Sequence, residues 1–147
     1  MSPSPPLAHP FTNSLALKVL KFSLLEDPIQ RQDFDRECET LMTIKHPNLL
    51  IFFGAGLNSE GKPFLVTEFM SGGSLKSLLA DTGRPLLFAR RVMITTQIAF
   101  GCAYLHKLKI SHRDLKSDNV LIDNNLDAKV RLHHHVGPLG GGVMEVV

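Results

Sequence analysis

From Leu15 to Phe22 the apolar residues fall on both faces of an extended run, the pattern of a buried strand, with Lys18 near its centre. A lysine there needs a partner for its charge. Asp27-Pro28 reads as a helix cap followed by a first helical position, and the helix should run to about Lys45, where His46-Pro47-Asn48 stops it. Phe34, Cys38, Leu41 and Ile44 form its apolar stripe, and helical spacing brings Glu37 to the stripe's edge. Leu49–Leu57 and Pro63–Phe69 read as two strands joined by a turn at Asn58-Ser59-Glu60-Gly61, giving a small antiparallel sheet beside the first strand. Ser71-Gly72-Gly73 then breaks the pattern. Ser74 can cap a short helix to about Leu79, and a longer helix from Leu87 to His106 carries the stripe Ile94, Ile98, Cys102 and Leu105. A polar loop, Ser111 to Asn119, leads to two short strands, Val120–Ile122 and Ala128–Val130, turned by Asp123-Asn124-Asn125.

Composition narrows the class. The chain has 147 residues, 44% of them hydrophobic and 20% charged, which is an ordinary globular balance and excludes a wholly disordered chain. Sixteen basic residues stand against fourteen acidic ones without a basic block, so neither nucleic acid nor a membrane surface is an expected partner. The longest apolar run, Leu49–Leu57, is far short of a span, and a cytoplasmic protein is expected. Cys38 and Cys102 lie on separate predicted helices and read as reduced thiols. Residues 1–13, with four prolines, should be extended and disordered. Residues 131–147, with His133-His134-His135 and four glycines, show no periodicity and read as a disordered tail.

The loop His112-Arg113-Asp114-Leu115-Lys116-Ser117-Asp118-Asn119 packs five ionisable groups and an amide into eight residues. A carboxylate, an ammonium two residues later and an amide three beyond that can accept a proton, steady a phosphate and hold a divalent metal, the three needs of phosphoryl transfer. In this loop the sequence resembles the eukaryotic protein kinases, whose catalytic loop reads H-R-D-L-x-x-x-N, and the resemblance extends over residues 15–130. Ala16-Leu17-Lys18 matches the family's A-x-K strand, and Glu37 matches the glutamate of the following helix. The fold so implied is α+β, a protein-kinase-like bilobal fold left incomplete. It would comprise a small lobe at 14–66 with an antiparallel sheet and one helix, a hinge at 67–73, and the first part of a helical large lobe at 74–130.

The resemblance also assigns roles. Lys18 would hold the α- and β-phosphates of ATP, Glu37 would position Lys18, Asp114 would accept the hydroxyl proton, Lys116 would steady the γ-phosphate, and Asn119 would bind Mg2+. Thr67 would be the gatekeeper, the backbone at Glu68 and Met70 would pair with adenine, and Ala16 and Leu121 would sandwich the ring; the hinge residues read equally well as an edge strand ending in a turn. Leu41, Phe52 and His112 would join a hydrophobic spine. Lys116, Leu49–Gly56 and Met70–Leu75 are similar to the Raf and mixed-lineage branch of tyrosine-kinase-like kinases, which favours serine or threonine as acceptor.

Two parts of the family pattern are missing. No glycine-rich loop precedes Lys18, and after Ala128-Lys129-Val130 the place of the magnesium-binding aspartate falls on Leu132, with His133 where the pattern has phenylalanine. The sequence therefore reads as a truncated kinase domain impaired in catalysis, or as a non-catalytic module that binds a partner kinase, or as an unstable product. The 87–106 helix, without later helices to cover it, is expected to leave its stripe exposed and open to chaperones. A metal site on the three consecutive histidines is a weaker expectation, since adjacent residues seldom converge on one ion.

Overall fold

The computed structural model describes residues 14–20, 28–83, 85–132 and the strand 143–146. The proline-rich start, the helix cap expected at Asp27 and the triple histidine lie outside the described residues. Strand β1 (Leu15–Val19) is followed by helix α1 (Pro28–Thr43), then β2 (Phe52–Leu57) and β3 (Pro63–Glu68). β1 pairs antiparallel with β3, setting Ala16 against Thr67 and Lys18 against Leu65, and β3 pairs with β2 across a bulge between Phe52 and Gly54. The hairpin turn is the expected one. The Asn58 side chain accepts from the amides of Glu60 and Lys62, and Gly61 takes the left-handed conformation (φ 72°) that the turn demands.

α1 starts at Pro28 and ends two residues earlier than the pattern suggested, because Thr40 and Thr43 turn their hydroxyls back onto the carbonyls of Arg36 and Thr40. Its stripe divides between two cores. Phe34 packs with Leu20 and Leu65 beneath the sheet, with Cys38 at the rim, while Leu41 and Ile44 reach a second, larger core.

That larger core is built by α3 (Phe88–Lys107) against the hairpin β4 (Val120–Ile122) and β5 (Ala128–Val130). Ile94 and Leu105 of α3 are buried there with Leu49, Val120, Ile122, Ala128 and Val130. The helix stripe expected to be exposed is therefore covered. The hairpin itself fills the place, and the large apolar residues left open on α3 are Phe88, Val92 and Phe100. Gly101 permits the close approach, since a Cβ there would stand 2.7 Å from the Asn48 carbonyl oxygen.

Two boundaries differ from the pattern. Leu49 and Leu50 belong to no strand with β3; Leu49 bridges in parallel to Val130, and the amides of Leu50 and Val130 bond Val130 and Asn48 carbonyls. This short connection ties the sheet half to the hairpin half. In the tail, Val143–Val146 forms a strand, β6, antiparallel on the outer side of β1, giving the sheet order β2-β3-β1-β6. Four residues are too few to register as periodicity, and β1 otherwise presents an unpaired edge. Among the described residues no helix is long and apolar enough to cross a membrane.

Candidate active site

The polar loop is fixed chiefly by its own hydrogen bonds. Arg113 has φ 60°, a left-handed conformation costly for a residue with a side chain, and His112 and Asp114 on either side hold it there. The Asp114 amide donates to the His112 carbonyl at 2.8 Å and lies 3.3 Å from His112 Nδ1, while His112 Nε2 donates to the Arg131 carbonyl at 2.9 Å. This pattern assigns the ring proton to Nε2, since a carbonyl can only accept and Nδ1 faces a donor. His112 thus links the loop to the end of β5.

A 3-10 turn at Ser117–Asn119 brings Asn119 back beneath Asp114. Fully buried, Asn119 donates from Nδ2 to the Asp114 carbonyl at 2.7 Å and to Asp114 Oδ2 at 3.0 Å. Lys116 Nζ approaches the same Oδ2 at 2.9 Å. Asp114, Lys116 and Asn119, three residues singled out from their order in the sequence, therefore meet at one carboxylate. Beside them Lys76 of the short helix α2 (Leu75–Ala80) holds Asp118 at 2.9 Å and keeps its carboxyl below the usual range. Ser74 caps α2 by accepting from the Ser77 amide, as expected.

The segment expected to be the hinge, residues 67–73, docks on the hairpin through glycine. The Gly72 amide donates to the Ile122 carbonyl at 2.8 Å and the Ile122 amide to the Gly73 carbonyl at 2.9 Å. A Cβ on Gly72 would lie 2.7 Å from that Ile122 oxygen, and Gly73 has φ 72°, so the pair is there for close approach as well as for the turn. Met70 is buried with Leu50 and Leu121 in a small cluster. Its carbonyl accepts from the Gly73 amide at 3.2 Å. The Glu68 amide bonds the Ile51 carbonyl, and the Thr67 hydroxyl lies 3.1 Å from the Glu68 carbonyl. Ala16 is buried opposite Thr67.

Glu68 has a further tie that its place in the sequence did not suggest. Both carboxylate oxygens accept from Lys129 Nζ, at 2.8 and 2.7 Å, and Oε1 also accepts from the Ile51 amide at 2.7 Å. Lys129 is the middle residue of β5, and the pair clamps the hinge to the hairpin in a setting about four-fifths shielded from solvent. Gln97 was missed for a similar reason. Its amide spans Asp127 Oδ1 and the Ala128 amide, 30 residues away, and nothing local marks it.

Lys18 and Glu37 are not brought together. Among the described residues the ion pairs do not include one between them. Glu37 has contacts of its own and lines a cavity of about 90 Å³ with His112, Ile110 and Leu132. Lys18 is pulled below its ordinary value first by burial and then by the charge of Arg131. Arg131 was read as the first residue of the tail, yet it continues β5 into the site: its amide donates to the Asn119 carbonyl at 2.7 Å and its Nη2 to Asn119 Oδ1 at 2.9 Å. Burial pulls the guanidinium down from its ordinary value, and the charges of Asp118 and Asp114 oppose that.

The magnesium ion expected at Asn119 does not fit these residues. Mg2+ demands oxygen ligands in octahedral array. Here the Asn119 oxygen is already taken by a guanidinium, and Leu132, in the place of the second ligand, packs against the large core. Among the described residues no group of three His, Cys, Asp or Glu side chains converges on a common point.

Comparison with known sequences places this geometry. Residues 9–132 match the family described as protein tyrosine and serine/threonine kinase. The chain is 38% identical over 109 residues to a RasGEF domain-containing serine/threonine-protein kinase X of Dictyostelium discoideum, a match covering 74% of this chain and 11% of that protein. It is 35% identical over 111 residues to the leaf rust 10 disease-resistance locus receptor-like protein kinase-like 1.3 of Arabidopsis thaliana, covering 73% of this chain and 16% of the relative. The chain thus spans roughly a tenth to a sixth of the length of these relatives. With a family match over most of its length and the catalytic-loop residues gathered at one carboxylate, the chain belongs to the protein tyrosine and serine/threonine kinase family.

Proposed function

We propose that this chain binds ATP or ADP between β1 and the β4–β5 hairpin and is deficient in transferring the γ-phosphoryl group to protein serine or threonine. The observation that carries the reading is the Asp114 carboxylate held by both Lys116 and Asn119, an arrangement that presents a proton acceptor beside an ammonium. In this reading Ala16 and Leu121 face the adenine, Met70 offers its N–H and Glu68 its carbonyl, Thr67 lies at the back, and Lys18 meets the phosphates. Residues 14–66, 67–73 and 74–130 act as small lobe, hinge and start of the large lobe. Descent from the tyrosine-kinase-like branch, a cytoplasmic location and a protein substrate are parts of the same proposal. The deficiency follows from the poor fit for magnesium, since ordered phosphates need a neutralising cation.

Calorimetric titration with ADP and ATP tests the first half; binding that falls tenfold or more in Lys18→Met is expected, and no binding at all would overturn it. A radiolabelled transfer assay tests the second. Transfer by the native chain that disappears in Asp114→Asn and Lys18→Met would show that the deficiency is wrong. A second reading, a non-catalytic module for a partner kinase or chaperone, is favoured by the exposed Phe88, Val92 and Phe100 on α3. Co-purification with a kinase, unchanged by Lys18→Met, would support it.

A further inference from the structure

Arg131 is a strong cation at the polar loop whose position neither the loop pattern nor the expected hinge explains. Its Nη2 donates to Asn119 Oδ1 at 2.9 Å and approaches the Asp118 carbonyl at 3.4 Å, and its Nε is buried with no acceptor. A guanidinium carries five N–H donors in a planar fork suited to phosphate. A buried N–H without an acceptor is destabilising, so the fork is incomplete as it stands. The Lys18 ammonium lies near enough to feel the guanidinium's charge; the charges of Asp118 and Asp114 also reach that guanidinium, yet among the described residues no carboxylate comes within ion-pair distance of either cation. Two cations that repel each other leave a place where a polyphosphate would satisfy both.

We infer that Arg131 supplies from the chain itself the cation that a divalent metal would otherwise provide, so that the site takes the phosphates of a nucleotide without metal. The inference rests on the nucleotide reading above and adds to it the manner of binding. The guanidinium already holds the Asn119 oxygen that a metal would need. Metal entry would require that bond to break and would place a dication beside a half-buried monocation.

The test is titration of ADP and ATP into the native chain, once in EDTA and once in excess magnesium, with no variant needed for the first comparison. Affinities equal within about threefold are expected. Binding tightened tenfold or more by magnesium would overturn the inference while leaving the nucleotide reading intact, and absence of binding in both buffers would overturn both. Arg131→Met should weaken binding in EDTA by about tenfold or more, a loss of about 1.4 kcal/mol. Arg131→Lys, which keeps the charge but loses the fork, should fall between native and Met. Undiminished binding by a folded Arg131→Met chain in EDTA would overturn the inference, and if that variant does not fold, Arg131→Lys binding in EDTA as tightly as the native chain would do so.

Discussion

Among the described residues, three buried side chains, Leu20, Phe34 and Leu65, make the core beneath the sheet that carries Lys18, whereas eight, from Ile44 to Val130, surround the hairpin that follows the polar loop. The hydrogen bonding differs in the same sense. Asp114, Lys116 and Asn119 are joined to one another by bonds between residues at most five apart, and longer bonds between Arg131 and both His112 and Asn119 fasten them to the end of β5. Lys18 and Glu37 sit on separate elements that meet only if α1 docks closely on the sheet, and α1 buries Phe34 alone along its length. Half of the site is thus assembled by local bonds over a deep core. The other half waits on tertiary packing with little apolar area to drive it.

The largest effects should come from substitutions that separate the two cores. Phe34→Ala removes a side chain that is 3% exposed, and Ile122→Ala one that is wholly buried. Each should cost several kcal/mol, about 3–5 for Phe34 and about 2–5 for Ile122. Their reach should differ. Hydrogen exchange is expected to quicken in α1 and β1 alone for Phe34→Ala, with β4–β5 still protected, but throughout the chain for Ile122→Ala. Equal loss of protection everywhere in both variants would show that the two cores unfold as one and would remove the contrast.

What could be read from the sequence follows the same division. The H-R-D-L-x-x-x-N order was informative because its geometry is made within eight residues, so order alone nearly fixes the placement. Lys129 and Gln97 carried no local sign, since their partners Glu68 and Ala128 lie 61 and 31 residues away. Arg131 was hidden differently. It directly follows the alternation of β5, but the composition change that starts there assigned it to the tail. The expected exposure of the α3 stripe fails because cover is looked for in later helices, whereas the hairpin residues Ile122 and Val130 are the stripe's packing partners.

The tie between the halves should respond next. Glu68→Gln keeps the shape but leaves the Lys129 ammonium facing a neutral amide in a shielded place, and a cost of about 1–3 kcal/mol is expected. Urea melts of Glu68→Gln, Lys129→Met and the double variant would measure the coupling. A double variant more stable than either single would locate the cost in the unpaired charge. Strict additivity would mean that the ion pair does not join hinge to hairpin energetically.

The smallest effect distinguishes the halves through their thiols. Cys38 on α1 is pushed up to about 11 from its ordinary 9.0, first by burial and then by the carboxylates of Asp35 and Glu37, while Cys102 on α3 is raised by burial alone. A raised thiol keeps its proton in the folded chain after the unfolded chain has lost it. The Cys38 contribution is therefore fully present below pH 9, where both states are protonated, and is lost as pH rises towards 11, because there the unfolded state gains the charge more readily. The exposed fraction of the side chain and solvent screening keep the effect small. Chemical denaturation followed from pH 8 to pH 11 should show a falling midpoint that flattens in Cys38→Ala. Alkylation at pH 8 adds the local view, since a thiolate-dependent reagent reaches Cys38 chiefly when α1 lifts from the sheet. Faster labelling of Cys38 in Phe34→Ala, with Cys102 unchanged, would place the weak joint under α1; equal acceleration at both thiols would place it in the shared core.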